Sequence, residues 1–207
     1  MPTELELKFT TDSPFPGAEQ LSAVFAPLGC RLGESRKDYV KDRYFDDARA
    51  SLNRAGVALR RRMRSGQLLA TLKSRGNIDG AVHEREELEL PLPERGWPEP
   101  IAERVSMYTD VNALKPYTVL DSERTVFPLL DDSGKELAEL SFDVVTAGFQ
   151  HGSLKVEFLE IELEAAAGVQ LTQLEQLAEA LGSLITLAPS PFTKLERAQA
   201  LLLGAGN

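Results

Sequence analysis

Polar and apolar residues alternate from the start of the chain. In the segment MPTELELKFT, Glu4, Glu6 and Lys8 occupy alternate positions, and the residues between them are apolar. Successive side chains of a β-strand point to opposite faces, so this period predicts a strand with one charged face and one apolar face. The same division recurs in the segments LRRRM, ATLKS, HEREELELPL, LSFDV and LEIELE. Charges of both signs on one face of so many strands predict a barrel with a polar interior and an apolar outside packed under helices.

The predicted strands follow one another in mostly antiparallel order and cover residues 3–10, 38–45, 57–64, 68–74, 82–90, 117–129, 136–147 and 153–164. Helices are predicted over residues 14–28, from the Pro-rich break at 91–100 to about 114, over 170–182 and over about 192–203. The strand pattern resumes with the same polarity after the break, so we interpret residues 1–207 as one domain. The predicted fold class is α+β, an eight-stranded antiparallel β-barrel with a polar interior, surrounded by helices.

One predicted strand departs from this alternation. Val156 and Phe158 share the face of Glu160, whereas the apolar face continues through Leu159 and Ile161. An extra residue in one strand changes the face that the following side chains occupy. A β-bulge near Phe158–Leu159 is therefore predicted.

Composition narrows the class of protein. The net charge of −9 argues against binding to a nucleic-acid polymer, because proteins that bind such polymers are normally basic. Cys30 is the only cysteine in the sequence, which excludes an internal disulfide and fits a reducing compartment. The sequence shows neither a signal-peptide pattern nor an apolar run of membrane-spanning length. A cytoplasmic location without membrane contact is expected.

Carboxylates are concentrated on the charged faces. Glu160 and Glu162 share one strand face, and Glu4 and Glu6 share another. Carboxylates packed side by side repel each other, and a divalent cation that prefers oxygen ligands, such as Mg²⁺ or Mn²⁺, relieves that repulsion. The candidate metal ligands are Glu4, Glu6, Asp143, Glu160 and Glu162. For any single pair a solvated strand face is the alternative, and Glu164, at the end of its strand, is expected on the surface.

Basic residues occupy the charged faces of other strands. Arginine binds phosphate oxygens bidentately and lysine adds a compact charge, so several of them inside a barrel would bind a polyanion with several phosphates. The candidates on strands are Arg60, Arg62, Lys73, Arg85 and Arg124. Lys194 is predicted in the first turn of a helix that starts near Pro191, where a cation opposes the helix dipole unless an anion is close. The alternatives are a basic surface hairpin for RRRMR and a salt-bridge ladder for Arg85 with Glu87 and Glu89.

Taken in order, these motifs resemble a known family. E-x-E-x-K at Glu4, Glu6 and Lys8 is similar to the signature of the CYTH superfamily, also called triphosphate tunnel metalloenzymes. The resemblance continues through YFD at 44–46, ALRRR at 58–62, TLK at 71–73, R-x-E-x-E at 85–89, Arg124, SFDVVTAG at 141–148, EIELE at 160–164 and PFTKLERA at 191–198. No single element is specific, but their order and polarity together are.

The resemblance implies an eight-stranded antiparallel tunnel that binds the triphosphate of its substrate inside. Basic residues at the matching positions would hold the phosphates: Lys8, Arg60, Arg62, Lys73, Arg85, Arg124 and Lys194. The five candidate acids would bind one or two Mg²⁺ or Mn²⁺ ions, and a second metal would activate water for attack on a terminal phosphoryl group. In some small members a Lys–Tyr pair assists proton transfer, and Lys8 and Tyr44 match these catalytic positions. A lowered pKa of Lys8 is expected in such a basic interior.

The family includes inorganic triphosphatases, thiamine triphosphatases, class IV adenylyl cyclases and RNA triphosphatases. The whole-chain pattern most resembles the bacterial inorganic triphosphatases, which implies hydrolysis of inorganic triphosphate (tripolyphosphate) to pyrophosphate and phosphate. Thiamine triphosphatase, adenylyl cyclase and a non-catalytic module that binds polyphosphate or nucleotide are the alternatives. The expected partner is a small-molecule triphosphate. Relatives often carry a C-terminal histidine-rich helical domain called CHAD, which lies outside this sequence and is a candidate partner.

Overall fold

The computed structural model describes residues 3–74 and 76–206. These residues form eleven β-strands: β1 (Thr3–Thr10), β2 (Arg31–Leu32), β3 (Arg36–Asp46), β4 (Ala58–Arg64), β5 (Gln67–Lys73), β6 (Asn77–Asp79), β7 (Val82–Pro91), β8 (Lys115–Leu130), β9 (Glu136–Phe149), β10 (Lys155–Ala165) and β11 (Ala188–Pro189). They also form five α-helices: α1 (Ala18–Phe25), α2 (Ser51–Arg54), α3 (Glu99–Ser106), α4 (Leu171–Gly182) and α5 (Lys194–Ala205).

Eight of these strands close into an antiparallel barrel. The order around the barrel is β1, β10, β9, β8, β3, β4, β5 and β7, and β7 pairs with β1 to complete the circle. The closing pair places Glu4 opposite Arg85. The short strands β2, β6 and β11, which were not predicted, extend β8, β7 and β1. The prediction of an α+β fold with an eight-stranded antiparallel barrel is confirmed.

Helices cover the apolar outside of the barrel. α1 and α4 pack against it through a buried cluster that includes Phe25, Phe142, Ile161 and Leu177. On another side, α3 packs against β4 and β5, with Ile101 fully buried. Burying a side chain of this size stabilises the fold by roughly 1.5–3 kcal/mol. Because alternate residues of each strand are held in these outer clusters, the charged residues between them point into the barrel.

Helix α5 closes one end of the barrel. Leu195 and Leu202 on this helix pack against the inward-pointing side chains of Tyr44 and Phe158. The register between β9 and β10 runs without a shift through the described residues, so the predicted β-bulge near Phe158–Leu159 is wrong. The alternation of β10 holds through this region, and its inward face changes from charged to apolar where α5 covers it.

Two helices begin later than predicted. α1 begins at Ala18 instead of residue 14, because the residue before Pro16 is disfavoured in helical conformation. α5 begins at Lys194, with Thr193 as its N-cap, instead of near residue 192. The longest helices have 12 residues, and no helix in the described part of the chain combines the length and apolar composition of a membrane-spanning segment.

Candidate functional site

A cavity of about 520 Å³ lies inside the barrel. Side chains from all eight barrel strands and from α5 line it, and most of these side chains are charged. Its volume is within the range of roughly 300–1,000 Å³ that is usual for small-molecule sites. The alternation of the strands produces this charged lining, since the apolar residues of the same strands face the helices outside.

The predicted phosphate-binding residues converge on this cavity. Its lining includes Lys8, Arg60, Arg62, Lys73, Arg85, Arg124 and Lys194, together with Tyr44. Arg64 lines it as well, whereas Arg61 points outward, with its guanidinium carbon 4.6 Å from the centre of the Trp97 ring. The interpretation of RRRMR as a basic surface hairpin is therefore wrong, because only every second residue of this strand faces outward.

Three of the predicted metal ligands meet in the barrel wall. Asp143, Glu160 and Glu162 are buried, and one carboxylate oxygen of each lies within 4.8 Å of the others. The register of β9 and β10 places them together, since it pairs Asp143 with Glu160 and leaves Glu162 on the same face. Lys194 Nζ lies 3.3 Å from the Oε1 atoms of Glu160 and Glu162. Lys8 Nζ contacts Glu162 as well.

The pKa values of two carboxylates in this cluster are shifted in opposite directions. Burial raises the pKa of Glu160 to about 7, although Lys194 and Lys8 oppose that shift. Burial alone would also raise the pKa of Glu162, but Lys194 and Lys8 outweigh burial there and lower it. Neither oxygen of Glu160 accepts a hydrogen bond from the described residues. Lys194 approaches only Oε1 of Glu160, so Oε2 stays buried with neither a hydrogen bond nor an ion pair among the described residues. This oxygen cluster therefore fits a hard divalent ion such as Mg²⁺ or Mn²⁺.

The other two predicted metal ligands face the same cavity from β1. Lys73 Nζ donates a hydrogen bond to Glu4 at 2.8 Å, and Arg85 Nη2 donates to Glu6 at 2.8 Å. In the described structure, these two acids lie outside the three-carboxylate cluster. Lys73 also contacts Glu87 at 2.6 Å. The ion pairs of this region therefore run between neighbouring strands, and not along β7 as the predicted salt-bridge ladder required.

Lys8 and Tyr44, the predicted catalytic pair, both line the cavity, but the pKa of Lys8 is shifted in the direction opposite to the prediction. Lys8 Nζ lies 3.2 Å from Glu6 Oε2 and contacts Glu162. Burial alone would lower the pKa of Lys8, but Glu162 and Glu6 outweigh burial and raise it. The expectation of a lowered pKa is wrong, because the nearest charges to this lysine are carboxylates. The hydroxyl of Tyr44 accepts a hydrogen bond from Arg60 Nη1 at 3.4 Å.

Asp42 belongs to this site and was not predicted. Its carboxylate is 2% exposed and accepts two hydrogen bonds from Arg62, from Nε to Oδ1 and from Nη2 to Oδ2, both at 2.8 Å. Arg60 Nη1 donates to Asp42 Oδ2 at 3.3 Å. The alternation offered a signal, since Asp42 shares the face of Tyr44 on β3. That face could be identified as the inner one only after the pairing of β3 with β4 was known.

The Asp42 carboxylate predicts a dependence of stability on pH. Burial alone would raise the pKa of Asp42, but Arg60 and Arg62 outweigh burial and hold the pKa well below its usual range. The unfolded chain therefore takes up this proton first, so the stabilisation is present above the unfolded pKa of about 4 and is lost as the pH falls toward the folded pKa.

We expect Asp42→Asn to lower the free energy of unfolding by about 2 kcal/mol at pH 6, and this difference to shrink toward pH 3. Urea unfolding of both proteins at the two pH values measures it. Asp121→Asn is the matched control, because Asp121 forms an exposed ion pair with Lys41 outside the barrel. A difference that stays constant with pH would contradict the assignment to this carboxylate.

Glu164 faces the cavity, so its expected place on the surface is wrong. It is part of the cavity lining, and burial together with the charges of Glu4 and Glu6 raises its pKa to about 7. β10 continues to Ala165 and stays paired with β9, where Glu164 lies opposite Glu139. The strand therefore continues one residue beyond its predicted end, and Glu164 stays on its inward face.

Known proteins share this fold over nearly its whole length. The family model of the CYTH domain matches residues 3–197 of the chain. A Hippeastrum protein, described as a candidate adenylyl cyclase with a dominant triphosphatase activity, has a TM-score of 0.63 and 18% identity over 95% of each chain. A candidate adenylate cyclase from Bacillus halodurans has a TM-score of 0.57 and 20% identity, over 95% of this chain and 98% of that chain. The Mimivirus capping enzyme triphosphatase has a TM-score of 0.53 and 11% identity, over 89% of this chain and 90% of that chain. No curated protein matches the chain in sequence.

Proposed function

Because this chain belongs to the CYTH domain family, we propose that it is a metal-dependent triphosphatase that hydrolyses inorganic triphosphate to pyrophosphate and phosphate. The observation that carries this proposal is the interior cavity, where basic side chains from five strands and α5 converge beside a cluster of three carboxylates. Cations of this kind bind phosphate oxygens, and clustered carboxylates bind divalent metals. The triphosphatase activity named for the Hippeastrum and Mimivirus proteins also supports a triphosphate-directed reaction.

We assign Asp143, Glu160 and Glu162 to the binding of Mg²⁺ or Mn²⁺, with Glu4 and Glu6 as candidates for a further ion. A metal ion held there would neutralise phosphate charge and lower the pKa of a water nucleophile. The all-oxygen donor set and the unpaired Oε2 of Glu160 support this assignment.

The chain's own residues would supply binding and orientation. Arg60, Arg62, Lys73, Arg85 and Arg124 come from four different strands, so they can contact a chain of phosphates from several directions. Positioning and charge neutralisation account for most of the rate enhancement in phosphoryl transfer. Lys8 and Lys194 line the cavity and contact Glu162. When substrate binds, the ammonium group of each lysine can therefore pair with a phosphate oxygen in place of a carboxylate. With its raised pKa, Lys8 would act as a charged donor to phosphate, and Tyr44 is the remaining candidate for proton transfer.

The lining favours inorganic triphosphate over a nucleotide. A nucleobase is commonly held by stacking on an aromatic ring, in a pocket with much apolar surface. Tyr44 is the one aromatic side chain among the described residues that line the cavity, and it is held between α5 and Arg60. A bare triphosphate needs only the charged groups.

A phosphate-release assay tests the proposal directly. Malachite green would measure phosphate from inorganic triphosphate, ATP and thiamine triphosphate, each with Mg²⁺, with Mn²⁺ and with excess EDTA. We expect metal-dependent release that is fastest from inorganic triphosphate. Activity on ATP alone, with cyclic AMP and pyrophosphate as products, would reject the proposal in favour of a cyclase. Metal-independent binding without turnover would identify a non-catalytic module.

Neighbouring arginines of β4 provide a matched pair of variants. We expect Arg62→Gln to raise the KM for inorganic triphosphate by about tenfold or more, because a charge-assisted hydrogen bond to phosphate is lost. Arg61→Gln should leave KM unchanged, because Arg61 stacks outside the barrel on Phe45 and Trp97. Its effect should be a small loss of stability, about 1 kcal/mol from the lost cation–π contact. Steady-state kinetics and thermal unfolding separate the two effects, and equal KM values for the two variants would contradict the inward assignment of Arg62.

A further inference from the structure

The carboxylate of Asp42 is placed to control two of the arginines in the cavity. It lies across the strand pair from Arg62, which approaches it with two parallel hydrogen bonds of 2.8 Å. It also accepts from Arg60 at 3.3 Å, and it is 2% exposed. Asp42 is absent from the cavity lining, whereas both arginines are part of it. The two guanidinium groups therefore cover the inward-pointing carboxylate of Asp42, so that the arginines and not Asp42 form the surface of the cavity.

We propose that Asp42 is a positioning residue, which fixes the guanidinium groups of Arg60 and Arg62 in the orientation that receives phosphate. This inference rests on the proposed function, because it assigns the two arginines to the phosphates of the substrate. Asp42 itself contacts neither the substrate nor the carboxylate cluster in this assignment.

The donors that Asp42 leaves free support this role. A guanidinium has five N–H donors, and Arg62 gives two of them to Asp42, so three stay available to a ligand. Arg60 donates hydrogen bonds from Nη1 to Asp42 and to the hydroxyl of Tyr44. Its Nε is buried and has no hydrogen-bond partner among the described residues. A flexible arginine loses side-chain entropy when it binds a ligand, and a fixed arginine has already lost it.

In the opposite role, the Asp42 carboxylate would compete with the substrate for the two arginines. A carboxylate that occupies the arginines could hinder phosphate binding, and its removal would then tighten binding. Removal also makes the cavity more positive by one charge, which by itself favours a polyanion. The two roles therefore predict opposite signs for the neutral variant, and weaker binding in that variant cannot come from the change of charge.

Two substitutions at this position separate geometry from charge. Asp42→Asn removes the charge at nearly constant shape, and Asp42→Glu keeps the charge but moves the carboxylate by one methylene group. Asp121→Asn is the control, because it makes the same chemical change in the exposed pair with Lys41 on the outside of the barrel. Calorimetric titration with inorganic triphosphate in EDTA measures binding, and steady-state kinetics with Mg²⁺ measure KM and kcat.

We expect both Asp42 variants to bind triphosphate about tenfold more weakly than the unmodified protein, with KM raised by a similar factor and kcat changed much less. The Asp121 variant should match the unmodified protein. Thermal unfolding shows that each variant is folded, and the ¹⁵N–¹H signal of Arg62 Nε reports whether its hydrogen bond to residue 42 persists.

Several results would overturn this inference. Tighter binding by Asp42→Asn would identify a competitor, and unchanged binding with lowered stability would identify a purely structural ion pair. Normal binding by Asp42→Glu would show that the exact position of the carboxylate does not matter. A protein that binds triphosphate but does not hydrolyse it would refute the proposed function, while the binding data would still decide the role of Asp42.

Discussion

Replacing Glu160 with glutamine is expected to reduce metal-dependent phosphate release from inorganic triphosphate by about 1,000-fold or more. Glu160 lies beside Asp143 on the neighbouring strand and beside Glu162 on its own strand, so its loss removes an essential oxygen of the proposed metal site. Lys194 and the arginines keep their places in the cavity. The variant should therefore still bind inorganic triphosphate in EDTA.

The stability of this variant provides an independent check. Burial raises the pKa of Glu160 to about 7, so this carboxyl is partly protonated at neutral pH, although its Oε1 lies 3.3 Å from Lys194 Nζ. A neutral amide should therefore destabilise the fold less at neutral pH than Asp143→Asn does. A ligand that binds only the folded state raises the melting temperature, and we expect Mg²⁺ to do so in the unmodified protein but not in Glu160→Gln. Glu157→Gln is the control, because Glu157 is exposed on the opposite face of the same strand. Full activity of Glu160→Gln would contradict the metal assignment.

Replacing Asp143 with asparagine is expected to destabilise the fold by about 3 kcal/mol and to abolish hydrolysis. Arg124 donates to both carboxylate oxygens of Asp143, from Nε at 2.8 Å and from Nη2 at 2.6 Å, and Lys194 contacts the same carboxylate. Asp143 is fully buried. The substitution leaves two buried cations with one fewer anion, which is costly because water cannot replace the lost charge.

Urea unfolding measures this loss, and Asp121→Asn is again the control. An exposed pair contributes little, so the control should stay within about 0.5 kcal/mol of the unmodified protein. Added Mg²⁺ should not restore the stability of Asp143→Asn, since the proposed metal site has lost a ligand. A variant with unchanged unfolding and unchanged hydrolysis would show that the Asp143 carboxylate is neither a structural partner of Arg124 nor a metal ligand.

The strand alternation was sufficient to predict the fold and most of the cavity. An inward residue on a barrel strand is separated from the next by one outward residue, so Glu4, Glu6 and Lys8 could be assigned to one face from local sequence alone. The recurrence of such charged faces on many strands then predicted that they line the inside of a barrel. The same argument put Arg60 and Arg62 on one face of their strand, and the structure places both in the cavity.

The features that were missed depend on contacts between distant parts of the chain. The pKa of Lys8 is set by Glu162, which is 154 residues away and becomes its neighbour only through the pairing of β1 with β10. The apolar end of β10 near Phe158 suggested a bulge, because the sequence did not show that α5 covers this end of the barrel. Asp42 was missed for a similar reason, since its importance comes from the arginines of the adjacent strand.

A crystal structure with bound inorganic triphosphate and Mn²⁺ tests the central claim most directly. The anomalous signal of Mn²⁺ locates the metal independently of the phosphates. We predict Mn²⁺ against the carboxylates of Asp143, Glu160 and Glu162, with the triphosphate inside the barrel between these acids and the arginines of β4. Triphosphate and Mn²⁺ bound only on the outer surface, with the ion pairs of the cavity unchanged, would contradict the account.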